Sequence, residues 1–105
     1  MTIRKYRNNP TVFNGRKFDS QKEARRAGEL QLLERLGEIE NLDYQIAFPF
    51  DYNEMRLCKY IADFVYYENH QKIVEDVKST ASKTPLYNLK KKMMKAFYGI
   101  EIRES

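Results

Sequence analysis

The chain has 105 residues, with 19 Lys and Arg against 15 Asp and Glu for a formal charge of +4. With 42% apolar residues, 8 Tyr and 6 Phe, this fits one domain (residues 1–105) with a modest core and excludes a disordered chain. One cysteine (Cys58) and one histidine (His70) exclude an intramolecular disulfide and a Cys- or His-cluster metal site, and no apolar run reaches bilayer-spanning length.

Charge placement is uneven. Residues 1–26 carry eight basic and two acidic side chains, residues 83–95 five Lys and no acid, and residues 27–82 five basic and eleven acidic ones. Basic ends around an acidic middle suit a polyanion at the ends and a divalent cation in the middle, although solvated surface charge gives the same count. With His and Cys scarce, any metal here is held by carboxylates, and hard oxygen ligands select Mg²⁺, Mn²⁺ or Ca²⁺. No signal-peptide core follows Met1, so a cytoplasmic protein with no membrane partner is expected.

In chain order, residues 1–17 read as a basic arm with a turn at Asn14-Gly15, which Thr11-Val12-Phe13 and Phe18 can flank as a short hairpin. Ser20-Gln21-Lys22-Glu23 matches a capping box. Ala27, Leu30, Leu33 and Leu36 then give a helical stripe, and Gly37 stands at the C-terminal cap, so a helix is predicted over 20–36. Residues 39–50 read as a strand or irregular strand with Pro49 near its end, and 57–67 as a β-branched and aromatic strand. Residues 72–79 read as a second strand, joined to the first by the polar turn Glu68-Asn69-His70-Gln71. Thr84 caps a second helix with Pro85 at its first position. Leu86, Leu89, Met93 and Phe97 share one face of it, Lys90, Lys91, Lys92 and Lys95 occupy the rest, and Gly99 ends it. Ile100-Glu101-Ile102 alternates like a final strand, which completes the order α-β-β-β-α-β.

The turn centred between Asn69 and His70 pairs residues whose numbers add to 139. Tyr67 then faces Lys72, Val65 faces Val74, and Asp63 faces Asp76, with directly opposed Cβ atoms roughly 4.5–5.5 Å apart. Lys78, two residues beyond Asp76, projects from the same face. Opposed like charges destabilise a sheet, and one divalent cation bound by both carboxylates at about 2.1 Å removes the conflict. Read from the residues alone, Asp63 and Asp76 are equally well exposed strand charges, with Lys78 offsetting them diagonally. Glu75 points to the opposite face and reads as structural. Glu23 reads first as the helix cap, and the Lys90–Lys92 run first as a solvated face. Arg4, Lys5, Arg7, Lys83, Tyr87, Lys90 and Lys91 are the candidates for holding nucleic-acid phosphates.

Asp63 followed by Asp76-Val77-Lys78, behind a helix carrying Glu23, resembles the PD-(D/E)xK nuclease superfamily. The segments KYRNNPTVFNGRKFDSQKEA, KYIADFVYY, IVEDVKS and YNLKKKM are similar to small phage and prophage proteins assigned to it, over nearly the whole chain. Ala62 stands where that motif often has proline. The resemblance implies an α/β fold with a restriction-endonuclease-like αβββαβ core, its mixed sheet flanked by helices. It implies a DNA endonuclease that uses Mg²⁺ or Mn²⁺ in the host bacterial cytoplasm. Its substrate would be branched DNA such as Holliday junctions, and it would act as a homodimer. On this resemblance Asp63 and Asp76 are metal ligands, the Val77 carbonyl completes the shell, Lys78 is the catalytic lysine and Glu23 is an outer or second-metal ligand. The alternative is a non-catalytic nucleic-acid-binding protein that retains the nuclease fold.

Overall fold

In the computed structural model, which describes residues 11–13 and 15–105, two short strands come first, β1 (Thr11–Phe13) and β2 (Arg16–Phe18). Helix α1 (Gln21–Arg35) and strands β3 (Glu40–Tyr52), β4 (Met55–Glu68) and β5 (Gln71–Asp76) follow. A 3₁₀ turn (Thr80–Ser82), helix α2 (Pro85–Tyr98) and strand β6 (Arg103–Glu104) complete the chain. From α1 onward the order is the expected α-β-β-β-α-β. Residues 1–10, with Arg4, Lys5 and Arg7, lie outside the described residues. The second half of the expected arm is the expected hairpin, with Thr11 opposite Phe18, and the Phe18 side chain is buried beside α1.

Both helices start as their sequences dictate. Ser20 adopts an extended backbone and accepts a hydrogen bond from the Glu23 N–H at 3.1 Å. Thr84 does the same for Tyr87, with Pro85 beginning the helix. Gly99 closes α2 in the left-handed conformation (φ +68°), which its missing Cβ makes inexpensive.

A mixed four-stranded sheet runs in the order β3-β4-β5-β6, antiparallel except for the parallel β5–β6 pair. Asn69 (φ +51°) and His70 (φ +65°) form the two-residue turn between β4 and β5, with the paired positive φ values of a type I′ hairpin. The register is the expected one: Tyr67 opposite Lys72, Val65 opposite Val74, Phe64 opposite Glu75. Strand β5 stops at Asp76 instead of reaching Ser79, because the next donors turn elsewhere. The Val77 N–H bonds the Asp63 carboxylate, and the Lys78 N–H bonds the Ser105 carbonyl. The last strand lies at Arg103–Glu104, not at Ile100–Ile102. The Ile100 N–H still returns to the Met94 carbonyl in the helix cap, and Ile102 is a core side chain.

The sheet separates two apolar clusters. Ala24, Ala27 and Leu30 of α1 pack with Phe18, Ile39, Phe64 and Tyr66. Tyr87 and Met94 of α2 pack with Phe48, Phe50, Tyr60, Ala62, Val65, Val74 and Ile102. In a regular strand, side chains two apart share a face. Here Ile46, Phe48 and Phe50 join the α2 cluster while Leu42 and Tyr44 join the α1 cluster. On β4, Tyr60 and Ala62 divide from Phe64 and Tyr66 in the same way. The two strands therefore exchange faces together at Gln45, whose φ of +52° breaks the pleat, and at Asp63 across from it.

Helix α2 departs from its expected orientation. Tyr87 and Met94 are its buried residues, whereas Leu86, Leu89 and Phe97 are exposed. The Tyr87 ring and Met94 fill the space over the sheet, and this turns Leu86 and Leu89 outward, while Met93 and Phe97 stay at the edge of the core, the Phe97 ring 5.2 Å from that of Phe50.

On the α1 side, Glu75 is fully buried and accepts hydrogen bonds from Arg26 Nε (2.6 Å), Arg26 Nη2 (3.1 Å) and Tyr66 Oη. Burial alone would raise its pKa, but the bonds from Arg26 and Tyr66 outweigh it and hold the carboxyl below its ordinary value. Arg26→Ala leaves that charge buried without its partner, and urea titration is expected to register a loss of about 3 kcal/mol.

Candidate functional site

The main-chain ladder between β4 and β5 ends at Phe64 and Glu75. The next residue on each strand is an aspartate, and their side chains take over the pairing. The Asp63 N–H donates to Asp76 Oδ1 (3.1 Å), and the Val77 N–H donates to Asp63 Oδ2 (2.9 Å). Each carboxylate thus commits one oxygen to the opposite strand. The sequence-based pairing of Asp63 with Asp76 places the two residues together, through side-chain-to-backbone bonds instead of two free carboxylates.

The remaining oxygens face polar groups. Asp76 Oδ2 lies 3.3 Å from Lys78 Nζ, and that ammonium sits 4.3 Å from the centre of the Tyr87 ring. Asp63 Oδ1 lies 3.5 Å from Gln45 Nε2, which also donates to Glu23 Oε2 at 3.1 Å. Glu23 does not fold its carboxylate back to cap the helix. Its backbone N–H serves the Ser20 cap, while its buried carboxylate turns toward Gln45. The bridge through Gln45 brings Glu23, Asp63 and Asp76 into one electrostatic group with Lys78.

Three carboxylates beside one lysine repel one another. Burial, with Asp19 and Asp76 next in effect, pushes the Glu23 carboxyl up to about 7. Burial and then Asp76 likewise push the Asp63 carboxyl well above the usual carboxylate range, against the Val77 N–H, which draws it down. Among the described residues no three His, Cys, Asp or Glu side chains form a group that could hold a metal ion, and Gln45 stands between Glu23 and Asp63. The donor chemistry nonetheless suits a hard divalent cation. The set is all oxygen, carries excess negative charge, and leaves Asp63 Oδ1 and Asp76 Oδ2 outside the main-chain bonds.

The group opens into a cleft of about 410 Å³ whose lining includes Lys59, Tyr60, Asp63, Asp76, Lys78, Tyr87 and Lys90. A scan against family models matches residues 3–104 to "Protein of unknown function (DUF1064)". The chain belongs to the DUF1064 family. No curated protein and no solved structure matches it.

In this DUF1064 protein the expected phosphate contacts divide. Lys90 lines the cleft. Lys83 and Lys91 lie 3.1 and 3.0 Å from Glu104, and the buried Tyr87 donates its hydroxyl to the same carboxylate at 2.7 Å. Tyr87 is therefore a wall of the cleft and a seat for Lys78. Sequence reasoning missed Gln45, Lys59 and Tyr60. Their signal was the β3–β4 register. It is concealed by a shift between Phe50 and Asp51, which moves the pairs from Phe50 back to Asp43 by one residue relative to the Asn53-Glu54 turn.

The raised carboxyls fix the sign of the pH dependence. From about pH 4.5 to about 7 the folded protein retains a proton on Glu23 that the unfolded chain has released, so stability falls as pH rises through that window. Asp63→Asn keeps an oxygen for the Val77 N–H and removes a charge. In metal-free buffer at pH 8 it is expected to raise the melting midpoint by about 4–8 °C for each ~1 kcal/mol of repulsion relieved, and to flatten the decline between pH 5 and 8. Circular-dichroism melts across that range measure both effects.

Proposed function

We propose that this DUF1064 protein is a metal-dependent DNA endonuclease with a restriction-endonuclease-like core. The observation that carries the reading is the convergence of Asp63, Asp76 and Lys78 where β4 and β5 part, with Glu23 behind them and Lys59 and Lys90 at the mouth of the cleft. Asp63 and Asp76 would hold Mg²⁺ or Mn²⁺, with the Val77 carbonyl completing the protein's share of the shell and Glu23 acting from the outer side. When bound, such an ion lowers the pKa of a water and offsets charge on a phosphate.

The other steps belong to the chain. Lys78, held between the Asp76 carboxylate and the Tyr87 ring, orients the attacking water and stabilises negative charge as it builds on the phosphate. Lys59 and Lys90 anchor flanking phosphates as point charges. Asp63 and Asp76 are set in place before substrate arrives by the main-chain donors they occupy. Branched DNA such as a Holliday junction is the proposed substrate. A homodimer is proposed as the working form, because one basic cleft covers little of a duplex. A second reading, a non-catalytic nucleic-acid-binding protein with the same fold, draws on the main-chain bonds that already occupy one oxygen of each aspartate.

Incubation with supercoiled plasmid and a labelled four-way junction, in Mg²⁺, Mn²⁺ or EDTA, separates the two readings. The nuclease reading expects cutting with either metal and none in EDTA, with a loss of at least about 10²-fold in both Asp76→Ala and Lys78→Ala. Junction binding without cutting by folded wild type would establish the second reading.

A further inference from the structure

Tyr60 stands on β4 three residues before Asp63, and the fold gives no reason for its hydroxyl. The ring is 4% exposed and stacks on Phe48, with centroids 6.4 Å apart. Phe48 and Phe50 fill the same cluster without a polar atom. The Tyr60 Oη is itself buried and makes no hydrogen bond of ordinary geometry within the protein, although the Asp76 carboxylate is the acceptor beside it. Leaving a hydroxyl buried and unpaired is unfavourable, and phenylalanine fills the same volume without that cost. The matched case on the other face is Tyr66, whose hydroxyl donates to Glu75.

The surroundings of the orphan atom identify what it serves. Tyr60, Asp63, Asp76 and Lys78 line one cleft. The phenol is a donor, and the nearby Asp76 carboxylate is an acceptor. Asp76 already accepts from the Asp63 N–H through Oδ1 and faces Lys78 through Oδ2. A carboxylate retains lone pairs beyond those two contacts.

We infer that Tyr60 is a positioning residue for the Asp76 carboxylate: its hydroxyl closes onto that group when the site is loaded, and fixes the orientation in which Asp76 holds a divalent cation. The inference rests on the nuclease reading. No bond is made or broken and no proton leaves the phenol. Groups that hydrogen-bond a metal-ligating carboxylate commonly govern metal affinity and activity by about 10- to 100-fold.

The test compares wild type, Tyr60→Phe and Tyr66→Phe for Mg²⁺ affinity by calorimetry, for the Mg²⁺ dependence of junction cleavage, and for melting temperature. The expected result for Tyr60→Phe is a 10- to 100-fold weaker Mg²⁺ response with a melting temperature equal to or above wild type. Tyr66→Phe is expected to melt lower and to keep the wild-type Mg²⁺ response. If wild type binds Mg²⁺ and cuts while Tyr60→Phe stays within twofold of it, the Tyr60 role is overturned and the nuclease reading stands. A Tyr60→Phe deficit that merely tracks a lower melting temperature, as in Tyr66→Phe, also overturns the role. Wild type that neither binds Mg²⁺ nor cuts overturns both.

Discussion

Where two antiparallel strands diverge, each leaves main-chain donors that must find acceptors. In this protein β4 and β5 diverge after Phe64 and Glu75, and the acceptors are the side chains of the next two residues, Asp63 and Asp76. That single exchange places two carboxylates side by side in a partly buried site, which free side chains would avoid. The rest of the site compensates for it. Lys78 is drawn to Asp76, the Gln45 amide is set between Asp63 and Glu23, and two of the carboxyls take up protons far more readily than they would in water. The backbone satisfaction of one hairpin end therefore sets the electrostatics of the whole cleft.

Neighbouring acids in β5 show how strongly environment decides. Glu75 and Asp76 are both almost wholly buried and point to opposite faces. Glu75 meets a guanidinium through two bonds and a phenol, a neutralised arrangement that ties α1 to the sheet. Asp76 meets another carboxylate, one lysine and the hydroxyl of Tyr60. Retaining the second arrangement costs stability, whereas the first is stable as it stands.

Much of this was legible in the sequence because it rests on local rules. Ser20 and Thr84 announce the helix starts, and Asn69-His70 fixes the hairpin and with it the neighbourhood of Asp63 and Asp76. Alternation in β5 correctly separated Glu75 from Asp76. The failures share a cause, which is long-range geometry. The paired face switch at Gln45 and Asp63 depends on a left-handed residue inside a strand, and glutamine gives no warning of it. The rotation of α2 depends on Tyr87 and Met94 fitting the sheet better than the more regular Leu86–Leu89–Phe97 stripe. The position of β6 depends on how long the α2 cap holds the Ile100 N–H.

The same geometry determines which positive charges are available at the cleft. Glu104 accepts from Tyr87 and from Lys91, with Lys83 close by, and these contacts hold its carboxyl down at about 2. It stays ionised at neutral pH, where it is paired with Lys83 and Lys91. Tyr87 links that cluster to the site, because the ring whose hydroxyl is anchored to Glu104 also carries the Lys78 ammonium. Of the lysines that line the cleft, Lys59 comes from the sheet and Lys90 from α2, and neither takes part in these contacts. The conflict built into the hairpin end therefore faces a cleft whose nearby positive charge comes from Lys59, Lys78 and Lys90.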